Sequence, residues 1–208
     1  MKDRINLIFD CDGTLVDSYD AITDHILRTF AAFGKSCSPE DIRTRCLYRT
    51  VGHCLEEKAA EYSLDLQSVR NEYSSSSDNI ELIKLYPGTR MLLENENFRS
   101  FVYTHRSKSV YDIFSRLGII DCFEDIVDFS FGFKAKPDSQ GVDYLVEKYS
   151  LNKAKTYYVG DRIIDIQCGN NAGVGTIFYN SSGLDIDCSE ADFVVSDLTG
   201  IIALADRL

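Results

Sequence analysis

Arg4 to Ser18, RINLIFDCDGTLVDS, is the stretch from which the rest of the chain can be read. Ile5, Leu7, Ile8 and Phe9 form a short apolar run that ends at a turn signal, which predicts a buried strand. Asp10 and Asp12 then stand two residues apart at the strand's end, followed by Gly13 and Thr14. Packing gives no reason for two carboxylates there. In an open α/β sheet, ligands bind in the crevice at the carboxyl ends of the strands. Asp10 is placed to attack phosphorus and form an acyl phosphate, while Asp12 handles the proton on the leaving oxygen. Carboxylate and phosphate repel, so a divalent cation is needed to hold them together. Taken alone, the stretch can also be read as an aspartate-rich turn.

After Ser18 the apolar period changes. Ile22, Ile26, Leu27, Phe30 and Phe33 recur at helical spacing up to Gly34, with Asp20, Asp24 and Arg28 opposite, which leaves His25 as a surface residue. Ser38-Pro39 starts a second helix, and Val51 to Tyr62 reads as a third. Asp65 to Leu85 reads as helical at both ends with a weak patch at Ser74 to Ser77, and no strand pattern occurs from residue 18 to 85. Tyr86-Pro87-Gly88 marks a return, with a short helix over Gly88 to Glu94. Strands follow at Phe98–Thr104, Asp125–Phe129, Lys155–Gly160, Gly175–Tyr179 and Asp192–Ser196. They alternate with helices at Ser107–Leu117, Asp138–Tyr149, Ile163–Asn171 and Leu198–Asp206. Such alternation predicts an α/β fold, a Rossmann-like parallel sheet covered by helices on both faces. Residues 1–15 and 86–208 then form the core, and residues 16–85 an inserted helical domain the size of a small lid.

Composition narrows the function. Hydrophobic content of 44% and charged content of 26% are ordinary for a globular protein. A net charge of −11 argues against nucleic acid and anionic membranes, so an anionic substrate must be drawn by a few placed cations. The seven cysteines (Cys11, Cys37, Cys46, Cys54, Cys122, Cys168, Cys188) are scattered and contain no C-x-x-C pair, which argues against zinc. With no apolar targeting segment at the start, they predict a cytoplasmic protein with reduced thiols. Cys11 lies between the two aspartates, but alternation along a strand turns it away from them, toward packing.

Three further pieces follow predicted strands. Thr104 ends the strand FRSFVYT, Lys136-Pro137 precedes a helix, and Gly160-Asp161-Arg162-Ile163-Ile164-Asp165 follows KTYYV. A lysine at such a place offsets the repulsion between carboxylate and phosphate, and the helix start behind it adds partial positive charge. Singly, each has a plain structural explanation: a threonine at a strand end, a lysine before a helix, a capping aspartate.

Together, DCDGTLVDS, Thr104, Lys136-Pro137 and GDRIID resemble the four motifs of the haloacid dehalogenase superfamily, across essentially the whole chain. The resemblance, closest to phosphoglycolate phosphatase-like members with a helical cap, implies a phosphatase. Its Mg²⁺ would be held by Asp10, the Asp12 carbonyl and Asp161, with Asp165 binding through water or holding the loop. Thr104 would bond the phosphoryl oxygens, and Lys136 would be the motif lysine, with Lys134 as the alternative. Ser139 stands where many relatives have proline, which affects helix entry more than chemistry.

Asp12 separates this chain from transport ATPases, which have threonine there, and from dehalogenases, which lack the second aspartate. Sugar-phosphate mutases carry a cap histidine where Ile22 stands, and phosphonate-cleaving relatives use a cap lysine, absent from residues 16–34. The expectation is a Mg²⁺-dependent phosphatase acting on a small phosphorylated metabolite such as phosphoglycolate or a sugar phosphate, as a monomer or weak dimer. A mutase, or a binding protein that keeps the fold, is the alternative. Thr104, His105, Arg106, Arg49 and His53 are the candidate substrate contacts, and Arg162 a candidate loop pin.

Overall fold

The computed structural model describes residues 4–205 and 207, so the predicted helix end at Asp206 lies outside the described residues. The elements run β1 (Ile5–Phe9), β2 (Val16–Asp17), α1 (Tyr19–Ala32), α2 (Pro39–Tyr48), α3 (Val51–Glu61), α4 (Leu66–Ser75), β3 (Lys84–Leu85) and α5 (Thr89–Leu93). They continue β4 (Phe98–Tyr103), α6 (Ser109–Arg116), β5 (Asp125–Val127), α7 (Gln140–Tyr149), β6 (Thr156–Gly160), α8 (Ile163–Ala172), β7 (Gly175–Tyr179), β8 (Phe193–Val195) and α9 (Thr199–Ala203). The chain divides into two compact units, residues 17–84 and residues 1–16 with 85–208.

In the larger unit six strands form a sheet in the order β5-β4-β1-β6-β7-β8, all parallel. The sheet is an α/β fold of the predicted kind. Every residue of β1 is buried, as expected of a strand covered on both faces. Ile8, Phe101, Tyr103, Val127, Val142, Leu145 and Tyr158 pack in one core cluster beneath the strand ends. Each such side chain contributes roughly 1.5–3 kcal/mol on burial. β4 and β6 flank β1 and are reached by connections running in opposite directions, which places a topological switch point at β1.

In the smaller unit the helical spacing of Ile22, Ile26 and Phe30 is used as read, since all three are buried with Ile42, Cys46, Cys54, Leu55 and Val69. Ser38, Thr50 and Asp65 cap α2, α3 and α4 by accepting from the Asp41, His53 and Ser68 amides.

Five expectations need correction. The helix predicted to Leu85 stops at Ser75, followed by a single 3₁₀ turn at Ile80–Leu82. Lys84–Leu85, expected to be helical, is instead β3, which pairs with β2 in a separate two-stranded sheet. The strand expected to reach Phe129 ends at Val127, and the helix expected from Asp138 begins at Gln140. His25 is buried rather than superficial: its Nδ1 lies 2.7 Å from Asp78 Oδ1 and its Nε2 2.9 Å from Ser76 Oγ. A helical wheel cannot register these partners, which come from beyond α1 and make the buried ring affordable in polar terms.

Candidate active site

The sheet brings the four motifs together at the carboxyl ends of β1, β4, β5 and β6. Asp10 directly follows β1, and its amide donates to Val159 O of β6 at 2.9 Å. Its side chain is 2% exposed. Lys136 Nζ reaches Asp10 Oδ1 at 2.7 Å and Asp165 Oδ1 at 2.8 Å, and all three groups are buried. Burial disfavours the ammonium charge, but the Asp10 and Asp165 carboxylates more than offset it and raise the Lys136 pKa above the ordinary lysine value. The rings of Tyr103 and Tyr158 lie against the same ammonium, each 5.4 Å from it. Tyr158 is fixed in turn by donating to Tyr103 O at 2.8 Å. Lys134, by contrast, is 73% exposed and lies 3.7 Å from Asp138.

Asp161 begins the loop after β6 and is 6% exposed. Thr14 donates to its Oδ1 at 3.2 Å. Gly13 has φ +81°, and a Cβ there would stand 2.1 Å from Asp161 Oδ2. A glycine is therefore required at this position both by backbone conformation and by the close approach of the carboxylate. Asp165, at the start of α8, has both oxygens engaged, one by Lys136 and the other by the Arg162 amide at 3.1 Å.

Carboxylate oxygens of Asp10, Asp161 and Asp165 all lie within 4.8 Å of one another, all three residues being buried. Asp10 Oδ2 has no hydrogen-bond partner among the described residues, and Arg162 Nη2 lies 3.9 Å from it. An orphaned buried carboxylate oxygen costs free energy unless something polar meets it. A hard divalent cation suits this all-oxygen donor set.

Thr104 follows β4, is 1% exposed, and accepts the Arg106 amide at 3.1 Å, which leaves its own hydroxyl hydrogen available. His105 Nε2 accepts the Lys136 amide at 2.8 Å. Burial, aided by the Lys136 charge, pushes its pKa down to about 4, so the ring is neutral near pH 7, as that accepted bond requires. The Arg106 guanidinium grips Asp12: Nε lies 3.1 and 3.0 Å from the two oxygens, and Nη2 2.5 Å from Oδ1. Cys11 is fully buried, and burial drives its thiol pKa well up, which suits packing rather than nucleophilic chemistry.

The chain matches the family model described as haloacid dehalogenase-like hydrolase over residues 7–179, which contain every motif just described. It is a haloacid dehalogenase-like hydrolase. Among similar proteins, a phosphoglycolate phosphatase of Vibrio cholerae is 26% identical, over 95% of each chain. The pyrophosphatase PpaX of Listeria welshimeri is 24% identical over 95% of this chain and 94% of its own. In solved structures, a hydrolase of Streptococcus pneumoniae is 29% identical with a TM-score of 0.59, covering 84% of this chain and 91% of its own. A HAD-superfamily hydrolase of Geobacter sulfurreducens superposes with a TM-score of 0.77 at 20% identity, covering 98% of this chain and 97% of its own.

The remaining candidates of this hydrolase, Arg49 and His53, belong to the smaller unit. Arg49 is exposed at the end of α2, and His53 Nε2 lies 3.2 Å from Glu57 Oε1. The two tyrosine rings around Lys136 and the Thr14–Asp161 bond were missed in the sequence. Only the position of Tyr103 beside Thr104, and of Thr14 beside Gly13, could have suggested them.

Proposed function

We propose that the protein is a Mg²⁺-dependent phosphatase that cleaves a small phosphorylated metabolite through an aspartyl phosphate on Asp10. One observation carries this reading. Asp10 offers a buried Oδ2 that no hydrogen bond among the described residues claims, while Lys136 holds the other oxygen at 2.7 Å. That is the condition of a fixed nucleophile with one lone pair kept for the substrate.

In the proposed cycle, Asp10 Oδ2 attacks phosphorus and the bond to the leaving oxygen breaks. Asp12 gives that oxygen a proton, and later takes one from the water that hydrolyses the acyl phosphate. Thr104 donates its hydroxyl to a phosphoryl oxygen, and Lys136 supplies positive charge against the charge that builds up in the transition state. Asp10, Asp161 and the Asp12 carbonyl would hold the cation, which when bound neutralises charge between the carboxylate and the phosphoryl group. Asp165 keeps Lys136 and the Arg162 amide in place, a supporting role its hydrogen bonds favour. His105 and Arg106 flank the leaving-group side, and Arg49 and His53 of the smaller unit would contribute to substrate choice.

Two named relatives, one a phosphoglycolate phosphatase and one a pyrophosphatase, suggest small substrates, either phosphomonoesters or diphosphate. The test is phosphate release from a panel of metabolite phosphates and diphosphate with Mg²⁺, alongside Asp10→Asn. Turnover that requires Asp10, with a phosphoryl adduct on the peptide bearing it after acid quench, is the expected result. Full activity in Asp10→Asn would sink the reading.

A further inference from the structure

Resting on the phosphatase reading above, we propose that Arg106 is a displaceable clamp on Asp12, drawn off by an anionic group on the substrate's leaving-group side. Both Asp12 oxygens are occupied by the Arg106 fork, at distances between 2.5 and 3.1 Å. The Arg106 side chain is 7% exposed and the Asp12 side chain 22%, so little solvent competes for the pair. A guanidinium carries donors only and cannot relay a proton between Asp12 and a leaving oxygen. While the fork stays closed, both Asp12 oxygens are in contact with the guanidinium, and the leaving group must compete with it for the carboxylate. Turnover is therefore faster when Arg106 lets go.

Letting go has a cost, because a largely buried guanidinium would lose the charge of Asp12. The backbone offers no relief. The Arg106 amide donates to Thr104 Oγ1 at 3.1 Å, and its carbonyl accepts from the Phe129 amide at 3.0 Å, so movement is confined to the side chain. A substrate supplies the missing counter-charge if its leaving group carries a carboxylate or phosphate within a few bonds of the ester oxygen. That oxygen must come to Asp12, so a nearby anion falls where the fork already lies. The fork then turns from Asp12 to the substrate, and Asp12 is released only when such a substrate is in place. Substrates without the second anion leave the clamp shut and react slowly. Arg106 is thus a positioning residue that turns recognition of charge into a faster chemical step, not merely tighter binding.

The experiment compares phosphate esters of 2-hydroxyacetate, 4-hydroxybutanoate and ethanol with the unmodified protein, Arg106→Gln and Arg106→Lys. The unmodified protein should favour the hydroxyacetate ester over the ethyl ester by roughly 10–100-fold in kcat/KM, the range a charge-assisted contact supplies, with part of the gain in kcat. The hydroxybutanoate ester carries the same charge farther away and should lose most of that gain. Arg106→Gln should bring the preference below about 3-fold, and Arg106→Lys should restore part of it. Equal kcat for the three esters in the unmodified protein overturns the clamp, whether or not the Gln variant folds. So does a preference that Arg106→Gln leaves intact. Calorimetric binding of the hydroxyacetate and ethyl esters to Asp10→Asn, with arginine or glutamine at 106, separates the two readings. No turnover of any ester, with a binding preference that depends on Arg106, would refute the phosphatase and keep the anion-drawn fork. Turnover without that dependence would do the reverse.

Discussion

Replacing Lys136 with methionine removes the charge that two buried carboxylates share, at little change in volume. Nζ lies 2.7 Å from Asp10 and 2.8 Å from Asp165, and the two carboxylate side chains are 2% and 0% exposed. Breaking a buried pair by removing one partner costs about 3–5 kcal/mol, because the remaining charge is left uncompensated. Here two carboxylates are left, so the upper part of that range is expected. For a chain of this size about 3–5 kcal/mol lowers Tm by roughly 6–20 °C. A thermal melt followed by circular dichroism reads the shift. Combining Lys136→Met with Asp165→Asn should recover part of the loss, since one of the stranded charges is gone, with a coupling of about 0.5–3 kcal/mol. Added Mg²⁺ should also stabilise Lys136→Met, by supplying positive charge beside Asp10. Turnover should fall about 10²–10³-fold on every phosphate ester alike, because the ammonium meets the group common to all of them. A Tm shift under about 2 °C, or independent effects of the two substitutions, would refute the charge argument.

Four other outcomes follow from the same geometry. Excess chelator should abolish turnover and Mg²⁺ should restore it, whereas full activity in chelator would remove the cation from the Asp10–Asp161 site. Asp12→Asn should slow turnover about 10²–10⁴-fold while far-ultraviolet circular dichroism stays unchanged; wild-type rates would take Asp12 out of the chemistry. His105, with its pKa pushed down to about 4, refuses a proton that the unfolded chain accepts near pH 6.5. Stability should therefore fall as the pH drops from about 6.5 to about 4, by at most about 3 kcal/mol, and urea midpoints for His105→Asn should lack this part of the slope. Substitution of Arg49 or His53 should change the ranking of kcat/KM among phosphate esters more than the rate on p-nitrophenyl phosphate, and an unchanged ranking would leave substrate choice to the larger unit.

The parallel sheet was legible because each strand of the larger unit is an apolar run with a helix behind it, and the helices of the smaller unit because their apolar spacing holds for several turns. What escaped was too short or too remote for a periodic signal. Val16–Asp17 and Lys84–Leu85 are strands of two residues each, shorter than any alternation that could announce them. Ser74 to Ser77 read as a weak point in a helix, and the helix does end inside it, at Ser75. His25 looked superficial because α1 alone decides only which face a side chain is on. Asp78 and Tyr73, which bond and stack against it, are about fifty residues away along the chain, Asp78 being 53 positions from His25.

The candidate site divides in the same way, and the division has a physical reason. Asp10, Asp12, Thr104 and Asp161 could be named because each stands just past a strand's end, and Lys136 because Lys-Pro before a helix resembles the family's motif. Their partners could not be named, since they are fixed by which strand lies beside which. β1 lies between β4 and β6, and that order brings Thr104, His105 and Arg106 to one side of Asp10 and Asp12, and Asp161 to the other. Arg106 thereby meets Asp12 across 94 residues of sequence, and Lys136 meets Asp10 across 126. In a chain of net charge −11, these two cations have been taken out of the solvent and set against carboxylates at the carboxyl ends of the strands. Their difference in exposure then sets their difference in task. Lys136, its side chain fully buried between two carboxylates and two rings, stays. Arg106 and Asp12, with side chains 7% and 22% exposed, form the pair for which a substrate can compete.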